Sequence, residues 1–309
     1  MNKKLVFINY ISRSGSTLLC QLLDAYTKIS VGIEAGFPGH PTQILPHNKQ
    51  PIKSEIELDT YLDRLYSDIR FKEWNIDRTT YKSQLLNTSY PINFKNILET
   101  ALSLNLSNNA EIWVHKAGYF IGCLEEARST FTDAQHIYIQ RDPRAIFNSQ
   151  KHAKSIYHNR PMAINVINFI NQYHHRACIA KSNKDKNDFL FIQYEDLLSN
   201  QTKVINSVID FINLEDKDKK EASDYSKRIP DNQKQLHTNV SSTVNNNSLH
   251  KWRKDLSDVE IRIIEYGLSD LFKEYNYPKS DNIKLNTKEL IEYSLLKAKL
   301  VLSRLKHAR

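Results

Sequence analysis

Near its start the chain passes from a continuous apolar run into a helical repeat. Residues 5–8 (LVFI) are all apolar, which is typical of a buried strand. A second apolar set then recurs at the spacing of one helix face: Leu18, Leu19, Leu22 and Leu23. The pattern therefore predicts a strand followed by a helix, with residues 12–17 as the short polar loop between them.

The same alternation of strand and helix recurs along the chain. Residues 137–140 read as a strand that leads into a turn, after which a helix is predicted to begin near Arg144, because Pro143 is favoured in a first helical turn. Apolar runs at residues 112–114 and 189–192 predict two further strands. Further segments have the spacing of helices: 56–71, 94–106 and 163–182. This order predicts an α/β fold with a central, mostly parallel sheet flanked by helices in three layers.

The loop at residues 12–17 (SRSGST) has the composition of an anion-binding site. Its side-chain donors are Arg13, Ser14, Ser16 and Thr17. Gly15 allows a ligand close to the backbone, and the first amides of the next helix present the positive end of its dipole. A simpler alternative is a helix capped by serine, a favoured N-cap residue. The lysine-bearing nucleotide loop G-x-x-x-x-G-K-[ST] is absent, which argues against an ATPase or a kinase.

A second polar turn strengthens the case for an anionic ligand. Arg141 directly follows the predicted strand at residues 137–140, and Ser149 lies about two turns into the next helix. Ligands of open parallel sheets bind at the carboxyl ends of the strands. The two side chains are therefore predicted to hold a second anionic group beside the one at residues 12–17.

Together these segments resemble the sulfotransferases that use 3′-phosphoadenosine 5′-phosphosulfate (PAPS). In that family an R-S-G-[ST]-T loop holds the 5′-phosphosulfate and an R-D-x-R-x-x-x-x-S segment holds the 3′-phosphate, and both occur here with matching spacing. The strand and Tyr-Glu-Asp-Leu turn at residues 189–197, and the pair Lys251 and Trp252, resemble two further family segments.

The resemblance implies a P-loop-like fold, PAPS as the sulfuryl donor, adenosine 3′,5′-bisphosphate (PAP) as the product, and no metal. The nucleotide contacts that it implies are Arg13, Ser14, Gly15, Ser16, Thr17, Arg141, Ser149, Tyr194, Lys251 and Trp252.

The motif layout is most similar to the subgroup that includes the tyrosylprotein sulfotransferases and many bacterial sulfotransferases. There, a glutamate 21 residues after the loop arginine is the general base, and a lysine on the strand before the 3′-phosphate segment is catalytic. The resemblance assigns these roles to Glu34 and Lys116, and implies that Lys116 and Arg13 stabilise the leaving phosphate and the moving sulfuryl group. From sequence alone, Glu34 also fits a solvated loop carboxylate and Lys116 a surface lysine.

The chain departs from the family pattern in places. Tyr10, accompanied by Asn9, occupies a position before the loop where the family commonly has glycine, and its bulk is expected to narrow the approach. The family's catalytic serine has no unambiguous counterpart, since Ser241 and Ser242 align only with a gap. Residues 239–243 fit either a flap over the nucleotide or a polar linker.

Composition is consistent with an anionic ligand. Lysine and arginine exceed aspartate and glutamate by eight, which favours phosphate and sulfate groups but also suits nucleic acid or an anionic membrane. The basic residues are scattered and are not interleaved with aromatic residues, so we predict no nucleic-acid partner.

The length of 309 residues suits one domain over residues 1–280, with a helical acceptor-binding insertion at about residues 36–110. Aromatic residues in the insertion fit either acceptor stacking or a core: Tyr61, Tyr66, Phe71, Trp74 and Tyr81. A basic amphipathic helix is predicted over 281–309, with its apolar pattern clearest from residue 287; it fits docking on the domain or peripheral contact with an anionic membrane.

The three cysteines are far apart and lack metal-type spacing, so a disulfide framework is not expected. No signal peptide or membrane span is predicted, and we expect a cytoplasmic protein.

The predicted function is transfer of a sulfuryl group from PAPS to a hydroxyl or amine. We rank a carbohydrate or lipid-linked glycan first as acceptor, a small-molecule alcohol second and a protein tyrosine third. Two alternatives stay open: a P-loop-type kinase or nucleotidase, and a non-catalytic binder of nucleotides or nucleic acid.

Overall fold

The structure contains a five-stranded sheet in which every neighbouring pair of strands is parallel. A computed structural model of the chain describes residues 3–34, 37, 51–220, 225–230, 247–280, 285–291, 293–295 and 297–298. The strands are β1 (Lys4–Tyr10), β2 (Ile29–Val31), β3 (Ile112–Lys116), β4 (Gln135–Gln140) and β5 (Phe189–Gln193). Their order across the sheet is β2-β3-β1-β4-β5. The predicted α/β fold with a parallel central sheet is confirmed.

Helices connect the strands and supply most of the remaining core. The helices are α1 (Ser16–Asp24), α2 (Glu55–Ser67), α3 (Ile69–Lys72), α4 (Arg78–Leu86), α5 (Phe94–Asn105), α6 (Leu124–Thr130), α7 (Pro143–His152), α8 (Val166–Asn183), α9 (Tyr194–Ser199), α10 (Gln201–Phe211), α11 (Tyr225–Arg228), α12 (Asn247–His250), α13 (Trp252–Asp255), α14 (Asp258–Gly267) and α15 (Ser269–Glu274). One large apolar cluster joins β1 and β3 to α1 and to α2–α5, and a second joins α7 and α8 to α14 and α15.

The register of the sheet brings the functional segments to one edge. Ile8 of β1 is level with Lys116 of β3, and Tyr10 of β1 is level with Ile139 of β4. The loop after β1, the end of β3 and the turn after β4 therefore lie side by side. This is the edge at which ligands of open parallel sheets bind.

Two predicted elements differ from the structure. The helix expected over residues 56–71 is broken at Asp68, whose side chain accepts the amides of Arg70 and Phe71 and so caps α3 as a separate short helix. An aspartate prefers this capping position to a helix interior. The Tyr-Glu-Asp-Leu segment is the first turn of α9 rather than a turn after the strand.

The aromatic residues of the insertion belong mainly to the core. Tyr61, Phe71, Trp74 and Tyr81 are buried in the cluster that also contains β1 and β3, and Tyr66 is half-buried against it. The Tyr81 hydroxyl donates to the Ile97 carbonyl at 2.6 Å, which fastens α4 to α5. These rings therefore hold the insertion on the sheet rather than line an open cleft.

The described part of the C-terminal segment is helical at residues 287–291, 293–295 and 297–298 and contacts α14. Glu289 pairs with Arg262, and the Tyr293 ring packs edge-on against Tyr266. Ile291 and Leu295 on the same segment are each 57% exposed, so membrane contact stays a prediction. Among the described helices, none combines the length and apolar character needed to cross a bilayer. All three cysteines are unbonded thiols.

Candidate active site

The loop between β1 and α1 places a glycine directly under an aromatic ring. Gly15 has φ 96° and is the N-cap of α1, and no side chain in the described structure caps this helix, so the serine-capped alternative is wrong. A Cβ on Gly15 would lie 2.1 Å from the Tyr194 ring, so only glycine fits there. The first amides of α1 are left facing the sheet edge, where an anion is their natural acceptor.

The neighbouring loop residues carry strain and an unused donor. Arg13 has φ 78°, a left-handed conformation that is uncommon outside glycine and is often found at functional sites. Ser14 is fully buried, and its hydroxyl has no hydrogen-bond partner in the part of the chain that the structure describes. Burying an unpaired hydroxyl costs about 1–3 kcal/mol, which an oxygen of a bound phosphate would offset.

The predicted second anion site lies against the first. Arg13 Nε donates to Ser149 Oγ at 2.8 Å, and Arg141 donates to the Arg13 carbonyl at 3.2 Å. The Arg141 guanidinium stacks over the Tyr194 ring, 4.6 Å from its centroid. Burial, followed by the like charge of Arg141, lowers the pKa of Arg13. An anion between the two guanidinium groups would relieve that repulsion.

Buried ion pairs stabilise the turn after β4. Arg144 pairs with Asp142 at 2.6 Å and with Glu265 at 2.5 Å, and its guanidinium lies 3.9 Å from the centroid of a Trp252 ring. Glu195 accepts the Asp142 amide at 2.9 Å, which ties the turn to α9. Trp252 is thus packed in the core on Arg144, whereas the neighbouring Lys251 is 70% exposed.

Two of the three predicted catalytic side chains, Glu34 and Lys116, meet in the structure. Glu34 follows β2 and Lys116 ends β3, and the pairing of these strands brings Lys116 Nζ to 3.3 Å from Glu34 Oε2. Lys116 also donates to Thr17 Oγ1 at 3.1 Å, which connects it to the loop. Lys116 is only 4% exposed and Glu34 is 20% exposed in its side chain. Neither matches the simpler alternatives of a surface lysine and a solvated carboxylate.

Burial strongly affects the lysine. It lowers the pKa of Lys116 to about 8, with smaller contributions from the charges of Arg70 and Arg13 and an opposing one from Cys20. A cation that is costly to keep buried favours an anion beside it. Glu34, at 3.3 Å from Lys116 Nζ, is such an anion in the structure.

Tyr10 is accommodated by a glycine across the sheet. A Cβ on Gly118 would lie 2.7 Å from the Tyr10 ring, and the ring centroid is 5.1 Å from Lys116 Nζ. Burial raises the pKa of Tyr10. The Tyr10 ring, which was expected to narrow the approach to the loop, is thus packed against Gly118 and beside Lys116.

One residue of the candidate active site, Arg70, has no signal in the sequence. Arg70, at the start of α3, forms an ion pair with the second oxygen of Glu34. The two residues are 36 positions apart and Arg70 belongs to no motif, so only the tertiary fold reveals the contact. Residues 239–243, including Ser241 and Ser242, lie outside the described residues.

Comparison with known proteins decides the family. A family model described as the sulfotransferase family matches residues 6–218, which is more than half of the chain. The chain belongs to the sulfotransferase family. The matched range contains the residue 12–17 loop, Glu34, Lys116, Arg141 and Ser149, and membership favours sulfuryl transfer over the kinase alternative.

Solved structures show the same fold for this sulfotransferase. The sulfotransferase domain of the Synechococcus PCC 7002 olefin synthase is 16% identical, with 90% of this chain and 96% of that chain covered and a TM-score of 0.59. The sulfotransferase domain from the curacin biosynthetic pathway is also 16% identical, with 90% and 99% covered and a TM-score of 0.51. No curated protein matches the sulfotransferase significantly by sequence.

Proposed function

We propose that this sulfotransferase moves the sulfuryl group of PAPS to a hydroxyl acceptor, with Glu34 as the general base. The observation that carries the proposal is the meeting of two clusters at one sheet edge. Arg13, Arg141 and Ser149 form the first, and Glu34 with Lys116 forms the second. Thr17 Oγ1 links them through its bond to Lys116.

The residues present fit the nucleotide at both of its charged ends. The 5′-phosphosulfate suits the loop at residues 12–17. Its donors there are the unpaired Ser14 hydroxyl, the first amides of α1, and Ser16 and Thr17, and Gly15 allows close approach beneath the Tyr194 ring. Arg141 and Ser149 suit the 3′-phosphate. Lys251 and Trp252 stay predicted contacts, with Trp252 acting here on Arg144.

PAPS, when bound, would supply the sulfuryl group, and its 5′-phosphate would be the leaving group as the bond between sulfur and the phosphate oxygen breaks and the bond between sulfur and the acceptor oxygen forms. The acceptor hydroxyl proton passes to a carboxylate oxygen of Glu34, which requires hydrogen-bond reach between them. Lys116 and Arg13 provide fixed positive charge beside the transferring group, where preorganised charge stabilises a transition state most strongly. The scheme uses no metal. Our first choice of acceptor remains a carbohydrate or lipid-linked glycan.

The donor site is tested by calorimetric titration of the protein with PAP, with 5′-AMP and with ATP–magnesium. We expect a strong preference for PAP. Arg141→Ala and Ser149→Ala should each weaken PAP binding, the arginine change by about 10- to 150-fold, because a charge-assisted hydrogen bond contributes about 1.5–3 kcal/mol.

Matched controls are Arg78→Ala and Ser129→Ala, since Arg78 pairs with Asp63 on the insertion surface and Ser129 is an exposed helix residue. Both should bind PAP as the parent protein does. Equal or tighter binding of ATP–magnesium would instead support the kinase alternative.

A further inference from the structure

A cavity lies beside the acceptor side of the candidate site. Its volume is about 450 Å³, which is within the range of small-ligand sites. The lining residues are Arg64, Ser67, Asp68, Ile69, Ile156 and Tyr157. They come from α2, α3 and the segment after α7. We refer to this space as the α2–α3 cavity.

Arg70 connects the α2–α3 cavity to the proposed base. Its guanidinium pairs with Glu34 and lies 5.5 Å from the centroid of the Tyr157 ring, which is part of the cavity wall. Its backbone amide donates to Asp68, another wall residue, at 2.9 Å. Two side chains in contact, Tyr157 and Arg70, therefore link the cavity wall to Glu34.

The charged side chains on this wall are Arg64 and Asp68. The Asp68 carboxylate is already occupied: one oxygen accepts the amides of Arg70 and Phe71, and the other accepts the Tyr157 hydroxyl at 3.3 Å. Arg70 Nε is buried and has no hydrogen-bond acceptor within the described residues. Arg64 lines the cavity itself, and Arg70 lies against the ring of its wall residue Tyr157.

The ion pair between Arg70 and Glu34 also disfavours protonation of Glu34, the proposed base. A carboxylate between Arg70 and Lys116 is stabilised in its charged form, so it resists taking a proton. When Glu34 is neutralised by the acceptor proton, the half-buried Arg70 loses its counterion, which is costly. An acceptor that carries its own anion would replace that counterion as the proton moves.

We propose that Arg70 is a specificity-determining residue that binds an anionic group of the acceptor, a carboxylate or a phosphate or sulfate ester near the reacting hydroxyl. This inference rests on the proposed role of Glu34 and narrows the acceptor to an anionic hydroxyl compound. The anion accepts from the N–H edge of Arg70 and does not lie against the Tyr157 ring, whose face is negative.

The test is calorimetric binding to PAP-saturated protein of glycosides that differ in one substituent. The anionic probes are 4-nitrophenyl β-D-glucuronide and 4-nitrophenyl β-D-glucoside 6-phosphate, and the neutral reference is 4-nitrophenyl β-D-glucoside. We expect at least one anionic probe to bind about tenfold or more tighter than the reference, as a charge-assisted hydrogen bond allows. The probe that does so distinguishes a carboxylate from a phosphate ester.

Variants separate this role from a structural one. Arg70→Gln should abolish the preference, Arg70→Lys should keep part of it, and Arg78→Ala should leave it unchanged. Glu34→Gln should increase the preference, because it releases Arg70 from its carboxylate partner; a merely structural arginine would not respond in this way.

The inference is overturned if neither anionic probe binds more tightly than the reference, including the case in which none binds, or if the preference survives in Arg70→Gln. The PAP titration that precedes each measurement reports on the proposed function separately. Tight PAP binding without an anion preference removes only the role of Arg70. An anion preference without PAP selectivity removes the proposed function instead.

Discussion

The nucleotide side and the acceptor side of this sulfotransferase are built in different ways. On the proposed nucleotide side, each of the two groups of donors comes from one short segment, residues 13–17 or 141–149, at the end of a strand. On the acceptor side, the contacts join distant segments: Glu34 follows β2, Arg70 begins α3 and Tyr157 follows α7. The residues of the nucleotide side are therefore neighbours in the sequence, whereas those of the acceptor side come together only in the folded protein.

The difference has an electrostatic counterpart. The nucleotide side brings like charges together, and the charge of Arg141 helps to lower the pKa of Arg13. The acceptor side neutralises its charge internally through the pair of Glu34 and Arg70. Under the proposed function, the anionic donor would bind where two guanidinium groups lie together, whereas the acceptor would compete with an existing ion pair.

The largest effect is expected from Glu34→Gln. General-base catalysis contributes about 10²- to 10⁴-fold, so transfer of labelled sulfate from PAPS should fall by that factor. PAP affinity should change little, because Glu34 belongs to the acceptor side. Transfer assays and PAP titrations on the same preparation measure both, and full transfer activity in the variant would remove Glu34 as the base.

Gly15→Ala should damage the nucleotide side next. The residue needs φ 96°, which costs about 1–2 kcal/mol for alanine, and its Cβ would collide with Tyr194. We expect a lower unfolding temperature and PAP binding weaker by about tenfold or more. Gly122→Ala is the matched control, since a Cβ there meets nothing within 4 Å. Equal losses of PAP affinity in Gly15→Ala and Gly122→Ala would contradict a specific role of Gly15 in the nucleotide site.

The lowered pKa of Lys116 predicts that kcat/KM for PAPS depends on pH. With its pKa lowered to about 8 by burial, the ammonium loses its proton above that pH, so kcat/KM for PAPS should fall by about tenfold per pH unit on the alkaline side. Lys116→Arg should move this limb to higher pH, even if the rate is lower. An alkaline limb that is identical in both proteins would assign the pH dependence to another group.

The same shift has a defined sign for stability. The folded-state pKa lies below the unfolded value of about 10.4, so the unfolded chain holds the proton more tightly between these values. The contribution of Lys116 to the free energy of unfolding should therefore rise as pH increases from about 8 to about 10.4. Urea unfolding of the parent protein and of Lys116→Met across this range isolates the contribution.

The smallest effect concerns packing between the two sides. Gly118→Ala should lower the free energy of unfolding by about 1–3 kcal/mol, because the new Cβ would lie 2.7 Å from the Tyr10 ring. Tyr10→Leu in the same chain should recover part of that loss. A double-mutant cycle by urea unfolding measures the coupling, and strict additivity would show that the ring and the glycine do not contact each other.

Sequence patterns predicted the elements whose signals are local. The strands, the helix after Pro143 and the loop at residues 12–17 follow from apolar runs and from the residue preferences of turns. Asp68 breaks a continuous apolar repeat because its capping bonds outweigh the periodicity around it. Arg70 was not predicted at all, since an ion pair across 36 residues leaves no trace in spacing.

We propose that the edge formed by β1, β3 and β4 binds a nucleotide with phosphates at both ends. A crystal structure of the protein with PAP is the decisive measurement. We expect the 5′-phosphate on the amides at the start of α1 and on Ser14, and the 3′-phosphate on Arg141 and Ser149. A nucleotide bound elsewhere, or one whose 3′-phosphate points into solvent away from Arg141, would contradict it.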